Sequence, residues 1–467
     1  MQNEKQNEKK DVMETPRIAV DVIEPGGRKR RGWEHCLIGE NVEFDTTRLE
    51  TYCFANWEPV IYDAMLVAAA VEFADRSKAR PALKWNREME LSIPVHNPDR
   101  WNDQCVLNAL QDALDFLTGD RWAITFHPRS RPAEQPRQGL LDLPEGLSAV
   151  MPFSDGLDSR IVADLMAREM GDAFVRVRLG SKTSDAKSLP RRYPFTSIPY
   201  HVRSRGRDFR ESSARSRGFK FALISGLAAY LGKAADIIVP ESGQGALGPA
   251  LVTVGQAYED YRSHPLFTER MEKFLAALFG HKVRFQFPRI WYTKGETLGK
   301  FIKECADSSR WSGTKSCWQQ TRQVSVDHKK RQCGICAACM LRRMSVHAAG
   351  MTEAKSTYVW ENLGAPTFHL GAASSFPEKK ITKKMRDYAI AGSLHLDHLA
   401  GLPASAANSG QLELQSFQLS RSLGLPEQDV RAKIDRLLVQ HGNEWKGFVH
   451  SLGQNSFVAQ WAIHGNL

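Results

Sequence analysis

A short polar segment, Ser154-Asp155-Gly156-Leu157-Asp158-Ser159, follows an apolar run and opens a helix-like stretch. Backbone N–H groups at the start of a helix bind anions, and a glycine lets the backbone approach a phosphate closely. Because Asp158 would repel a bare phosphate, we expect it to hold a magnesium ion that bridges phosphates. The segment, called the phosphate loop below, therefore predicts a nucleotide site. A strand–helix turn capped by Ser154 or Asp158 is the structural alternative.

Four cysteines, with the spacing C-x15-C-x2-C-x2-C, form a second group with chemical potential. They are Cys317, Cys333, Cys336 and Cys339. Two C-x2-C steps that share a cysteine place three thiolates on one turn, and a fourth thiolate completes a tetrahedron. Four sulfur ligands without an open position are typical of a structural zinc site. An iron–sulfur cluster is the main alternative, because four cysteines suit it as well.

The elements around the phosphate loop alternate between short apolar strands and helices. Strands are predicted at 147–152, 173–179, 196–202, 236–240 and 283–288, and helices at 158–170, 218–231, 258–279 and 295–305. This alternation favours an α/β fold with a doubly wound parallel sheet. In such sheets ligands bind at the carboxyl ends of the strands, where the phosphate loop lies.

The chain divides into four predicted regions. Residues 1–30 are polar and basic and are expected to be disordered. Residues 31–147 are expected to form a separate accessory α/β region, with a helix at 106–117 and a strand at 122–126. Residues 148–350 would contain the nucleotide domain and, at 317–350, the zinc module. Residues 351–467 are expected to be mostly helical, with separate amphipathic helices at 427–439 and 444–461.

Composition limits the classes of function. The 467 residues have a net charge of +10, which attracts polyanions such as nucleotides and nucleic acid. No apolar run is long enough to cross a membrane, and the polar start of the chain lacks a secretory signal. The sequence therefore predicts a cytoplasmic protein, in which the cysteines would stay reduced.

The phosphate loop resembles the SGGxDS signature of the PP-loop ATP pyrophosphatases. The cysteine pattern, from Ser316-Cys317 to Cys333-Gly334-x-Cys336-x-x-Cys339-x-x-Arg342, resembles that of the QueC family of 7-cyano-7-deazaguanine synthases. Arg217, before a helix, and Thr293-Lys294-Gly295-Glu296 are also similar to the pattern of that family. The resemblance covers roughly 148–350 and implies an adenine-nucleotide α-hydrolase-like fold.

This resemblance implies a mechanism. ATP would adenylate the carboxylate of 7-carboxy-7-deazaguanine, and ammonia would displace AMP to give an amide. A second activation would dehydrate the amide to a nitrile. The residues of the phosphate loop, 154–159, would bind ATP, and Asp158 would hold magnesium. Arg217, Lys294 and Arg215 would add positive charge around the phosphates or the carboxylate.

Two departures from the family pattern are visible. Asp155 stands where the family usually has a second glycine, and Glu241-Ser242-Gly243-Gln244-Gly245 lacks the expected aspartate-containing stretch for base recognition. The flanking regions make the layout similar to QueC-like proteins of bacterial anti-phage systems such as the Qat system, which implies a protein partner from a defence operon.

Two other functions stay open at this point. One is a PP-loop enzyme that transfers sulfur or forms an amide on tRNA. The other is a zinc-stabilised nucleic-acid-binding protein whose phosphate loop no longer acts on ATP.

Overall fold

The computed structural model describes residues 15–46, 58–80, 86–132, 146–180, 198–204, 206, 208–211, 214–255, 258–305, 308–319 and 324–463. The strands are β1 (Arg17–Ile23), β2 (Glu34–Leu37), β3 (Val42–Phe44), β4 (Glu88–Val95), β5 (Arg121–Pro128), β6 (Ala149–Pro152), β7 (Phe174–Val177), β8 (Tyr200–Val202), β9 (Asp236–Ile238), β10 (Arg284–Gln286), β11 (Ser325–Val326) and β12 (Lys329–Lys330).

The α-helices are α1 (Pro59–Ser77), α2 (Pro98–Asn102), α3 (Gln104–Thr118), α4 (Leu157–Met170), α5 (Arg217–Gly232), α6 (Gly243–Ala246), α7 (Gly248–Leu251), α8 (Pro265–Phe279), α9 (Lys294–Glu304), α10 (Ala337–Ala348), α11 (Lys383–Gly401), α12 (Ser409–Leu423) and α13 (Glu427–Leu452). Within the described ranges, no helix combines the length and the apolar character needed to span a bilayer.

The first sheet has the order β2-β1-β4-β5, and all of its neighbouring strands are parallel. Its inner strand β1 begins at Arg17, so the expectation of disorder over residues 1–30 is wrong for residues 15–30. Val20 and Val22 of this strand are fully or almost fully buried. The alternation of Ile18, Val20 and Val22 is a strand signal that the polar flanks obscured. Residues 1–14 lie outside the described part of the chain.

The second sheet, with the order β10-β9-β6-β7, is also parallel throughout. One face carries Val150 and Ile237 into the core with α5 and α8, and the other carries Ala149 and Met151 against α4 and α9. Helices therefore cover both faces, which confirms the expected parallel α/β arrangement. The strand predicted at 196–202 is different: Tyr200–Val202 pairs antiparallel with β3, and residues 196 and 197 lie outside the described residues.

The two sheets share one hydrophobic core. It runs from β1 and α1 of the first sheet to α5 and α8 beside the second. The region 31–147 is therefore not separate from the nucleotide region in its packing, because apolar side chains of both fill the same interior.

The C-terminal region packs against α10 through α11 and α13, and Arg436 of α13 pairs with Glu296 of α9. Two separate helices were expected at 427–439 and 444–461, but α13 is continuous over Glu427–Leu452. Its buried residues recur from Val430 to Val449 with helical spacing, and Gly442 lies in van der Waals contact with Ala400 of α11. The helix therefore continues through Gly442, between the two expected segments.

The helix expected at 258–279 begins later, at Pro265. Proline favours the first turn of a helix because it has no N–H to donate there, and the side chain of His264 accepts the N–H of Leu266 as a cap.

Candidate nucleotide site and metal centre

The phosphate loop joins β6 to α4 at the carboxyl end of the second sheet. The hydroxyl groups of Ser154 and Ser159 lie 3.0 Å apart, and the Gly156 N–H donates to Ser154 Oγ over 3.2 Å. Helix α4 begins directly after Gly156, and no described side chain caps it. The structural alternative, a turn in which Ser154 or Asp158 caps the helix, is therefore not found among the described residues. The first N–H groups of α4 stay available to an anion.

The negative charge of Asp155, which stands where the family usually has glycine, is balanced by a cation. Arg178, which directly follows β7 and is buried, donates from Nη2 to Asp155 Oδ1 over 2.7 Å. The backbone oxygen of Asp155 accepts the N–H of Lys315 over 2.8 Å. Arg178 thus holds the carboxylate and offsets the negative charge that Asp155 adds to the loop. Arg178 itself was missed, although its place just after a parallel strand is a signal for a ligand-facing residue.

Asp158 and Lys294 form a buried ion pair, with 2.5 Å between Oδ2 and Nζ. Both side chains are 8% exposed. Burial alone would lower the pKa of Lys294, but attraction to Asp158 and Glu241 raises it above its usual value. Lys294 is therefore charged, as expected of a phosphate or carboxylate ligand.

Glu241 is the third member of this group and was missed in the sequence as a site residue. Burial, followed by repulsion from Asp158, raises the pKa of Glu241 to about 7. Gly245 leaves room for its carboxylate, since a Cβ there would lie 2.5 Å from Glu241 Oε2. The three residues follow β6, β9 and β10, which are neighbours in the sheet. We call Asp158, Glu241 and Lys294 the charge triad.

Asp158 Oδ1 is buried and has no hydrogen-bond partner among the described residues. A buried carboxylate oxygen without a donor is costly, and a hard cation would satisfy it. The residues present therefore fit a magnesium ion at Asp158.

Arg217 and Arg215, although close in sequence, differ in their surroundings. Arg217 opens α5, is exposed, stacks over Phe221 and is close enough to Glu241 for their charges to interact. The start of this helix is held in place because Ser216 N–H donates to the buried Asp75. Arg215 instead donates to the Thr118 carbonyl oxygen over 2.9 Å. This bond joins Arg215 to the end of α3 and gives no support to a role at the nucleotide.

Three arginines surround the ring of Phe153, the residue before the phosphate loop. The guanidinium carbons of Arg160 and Arg176 lie 5.3 Å from the ring centroid, and that of Arg178 lies at 5.9 Å. Arg176 pairs with Asp164, whereas the buried Nε of Arg160 has no hydrogen-bond partner among the described residues. Burial and the neighbouring arginines lower the pKa of Arg160. An arriving anion would relieve this concentration of positive charge.

The four cysteines converge as the spacing predicted. The sulfur atoms of Cys317, Cys333, Cys336 and Cys339 all lie within 4.8 Å of one another, and Cys333 Sγ is 3.8 Å from Cys339 Sγ. In a tetrahedral site with Zn–S bonds of about 2.3 Å, sulfur atoms are about 3.8 Å apart. Burial raises the pKa of Cys339, since a thiolate there would lose its hydration. A divalent ion would supply the missing charge, so the donor set fits zinc.

Gly334 makes the tight turn of this module. Its φ is +85°, and a Cβ would lie 3.0 Å from the Trp360 carbonyl oxygen. Both the backbone conformation and the space therefore require glycine.

The segment before Cys317 links the module to the phosphate loop. Lys315 N–H reaches Asp155, while Ser316 N–H donates to Gln332 Oε1 over 2.7 Å. Arg342, which is fully buried, donates to Thr314 Oγ1 over 2.6 Å. The cysteine module thus lies beside the phosphate loop and is joined to it through Lys315.

Residues 246–350 match the family model described as "Queuosine biosynthesis protein QueC". The matched part contains Lys294, the four cysteines and Arg342, but begins after the phosphate loop, Arg217 and Glu241. This match supports a QueC-like protein and is consistent with the ATP-dependent ligase activity of that family. No curated protein matches the chain.

Proposed function

We propose that this protein is a QueC-like ligase that uses ATP to activate a carboxylate and release pyrophosphate and AMP. The observation that carries the proposal is the charge triad beside the uncapped start of α4. Asp158, Glu241 and Lys294 come from three adjacent strand ends and meet where a nucleotide would lie.

The residues of the phosphate loop would hold the ATP phosphates. The free N–H groups of α4 and the hydroxyl groups of Ser154 and Ser159 would donate to phosphate oxygens, and Arg160 would add a charge-assisted contact. A magnesium ion held by Asp158 would neutralise charge on the phosphates. These donors are fixed before the reaction, so they can stabilise the charge that develops on departing pyrophosphate.

Lys294 and Arg217 would orient the two reactants. Lys294 is charged and already held by Asp158, so it suits an α-phosphate or the carboxylate of the substrate. The carboxylate oxygen would form a bond to the α-phosphorus as the bond to pyrophosphate breaks. Ammonia would then attack the acyl carbon and expel AMP. The guanidinium of Arg217 would guide the carboxylate into place.

The proposed substrate is 7-carboxy-7-deazaguanine, and the product is its amide or nitrile. The QueC match supports a deazapurine, while Glu241–Gly245 departs from the family pattern for base recognition. The regions outside the match would serve a specialised pathway, such as anti-phage defence, through a protein partner.

The test is a reaction of purified protein with ATP, Mg²⁺, ammonia and 7-carboxy-7-deazaguanine, in which AMP and deazapurine products are measured by mass spectrometry. We expect AMP only when the deazapurine is present. AMP that appears only when tRNA replaces the deazapurine would instead favour a tRNA-modifying enzyme. If the folded, metal-loaded protein forms no AMP with either substrate, both enzyme proposals are contradicted, and a nucleic-acid-binding role is favoured.

A further inference from the structure

Helix α13 lies outside the part of the chain that matches QueC, yet it buries polar side chains. His441 and Glu444 are 0% and 7% exposed, on the same face of α13 as Leu437. Buried polar groups need partners, and the partners of these two residues show what the helix supports.

His441 reaches the backbone of Lys294 through one intermediate. Burial lowers the pKa of His441 to about 4, so its ring is neutral. One ring nitrogen lies 2.8 Å from the Leu396 carbonyl oxygen, to which it must donate, so the other accepts the Gln244 amide over 2.8 Å. Gln244 Oε1 in turn accepts the N–H of Lys294 over 2.8 Å. The histidine thus fixes the orientation of the amide that holds Lys294.

Glu444 contacts the same helix start from a second direction. Its Oε1 accepts the hydroxyl of Thr293 over 2.5 Å, and that Thr293 oxygen accepts the N–H of Glu296 as the helix cap. Gly295 permits this approach, because a Cβ there would lie 2.9 Å from Glu444 Oε1. The carboxyl group of Glu444 thus contacts the residue that caps α9.

Leu437 extends the contact to the segment that carries Glu241. A Cβ on Gly243 would lie 2.4 Å from Leu437 and 2.2 Å from the Ile290 carbonyl oxygen, so the helix packs directly on this backbone. One face of α13 therefore touches both the Glu241 segment and the start of α9.

We propose that α13 is a structural part of the nucleotide site, in which His441 and Glu444 are positioning residues for Lys294. The inference rests on the proposed ligase function and assigns to the C-terminal region a role at that site. The two residues hold Lys294 opposite Asp158 and do not themselves touch substrate. A displacement of about 1 Å can cost on the order of 100-fold in rate, so small shifts here would be visible in turnover.

The test compares His441→Leu, Glu444→Ala and the conservative Glu444→Gln, which keeps an oxygen that can accept the Thr293 hydroxyl. We expect the first two to lower kcat for AMP formation by about tenfold or more, with a smaller change in KM for ATP. Glu444→Gln should recover most of the loss. Asp435→Asn, which breaks an exposed ion pair on the same helix, is the matched control and should behave like wild type.

Hydrogen–deuterium exchange gives a measurement that does not need activity. Peptides that cover 241–245 and 293–297 should exchange faster in His441→Leu and Glu444→Ala than in the Asp435→Asn control. If wild-type protein forms no AMP, the function fails while these exchange rates still test the positioning. If Glu444→Ala does not fold, Thr293→Val removes the same contact from the other side. Unchanged exchange, or kcat within twofold of wild type in both variants, would overturn the inference.

Discussion

The cysteine module and the charge triad are neighbours in space but are built in opposite ways. Three of the four sulfur ligands come from seven consecutive residues, 333–339, and the fourth, Cys317, comes from a nearby segment. The triad instead joins Asp158, Glu241 and Lys294, and its lysine depends on a helix that begins at Glu427. Local spacing therefore encodes the first site, whereas the whole fold encodes the second.

This difference predicts how each site fails. A site made by one short segment depends on its metal for its shape, so the loss of a ligand should unfold the segment. A site assembled at strand ends is supported by the sheets and cores around it. The loss of a charge there should stop the chemistry while the fold persists.

The largest expected effect is that of Cys336→Ser. With one ligand lost, the module should lose bound zinc and much of its stability, because metal binding contributes folding free energy directly. Elemental mass spectrometry measures the bound zinc, and the thermal unfolding temperature measures the stability. Cys105→Ser, at an exposed cysteine outside the cluster, should change neither. A Cys336→Ser protein that folds normally without metal would show that the module does not depend on its metal.

Asp158→Asn should have the next largest effect, on turnover alone. It removes the proposed magnesium ligand and the partner of Lys294, so AMP formation should fall by at least about 100-fold. Glu241 stays beside Lys294 and limits the cost of the unpaired cation, so circular dichroism should still report a folded protein. Asp172→Asn, at an exposed position after α4, is the control. Retained AMP formation would refute the role of Asp158.

Glu444 should make the free energy of unfolding depend on pH. Burial raises the pKa of Glu444 to about 7 from an ordinary value of 4.5. The folded protein then binds the extra proton between these values, so stability falls as pH rises from about 4.5 to about 7. The upper limit of this contribution is about 3 kcal/mol. Glu444→Gln removes the titration, so its denaturation free energy should show a weaker decline over this range. Parallel pH profiles would contradict the buried, protonated state of Glu444.

The sequence predicted the parts of the site that depend on local patterns. The four cysteines, the phosphate loop and the helix start at Lys294 each carry a short motif, and the structure brings them together. Glu241, Arg178 and Glu444 carry no motif. Their importance depends on which strand ends are adjacent and which helix covers them, and long-range packing determines both.

The same limit explains the errors in the fold. Strand β1 is a seven-residue segment that begins at Arg17 and contains Asp21, so local patterns did not predict its inner position in a sheet. Helix α13 continues through Gly442 because α11 packs against it, whereas propensity alone suggests a break. In both places, tertiary contacts outweigh a weak local signal.

The smallest expected effect comes from breaking the pair Asp155–Arg178. This pair also tests the difference between local and fold-encoded sites most directly, because Asp155 belongs to a sequence motif whereas only the fold places Arg178. Arg178→Ala should remove a cation that faces Asp155 at the proposed phosphate site and raise KM for ATP by about tenfold, which corresponds to about 1.4 kcal/mol. Adding Asp155→Gly to that variant removes the repulsion, so KM should return to near the wild-type value. The matched control is Arg17→Ala, which removes an exposed arginine paired with Glu90 in the first sheet. A KM unaffected by Arg178→Ala, or not restored in the double variant, would mean that Asp155 affects the loop independently of Arg178. A restored KM would show that the unusual aspartate is tolerated because the fold places a cation opposite it.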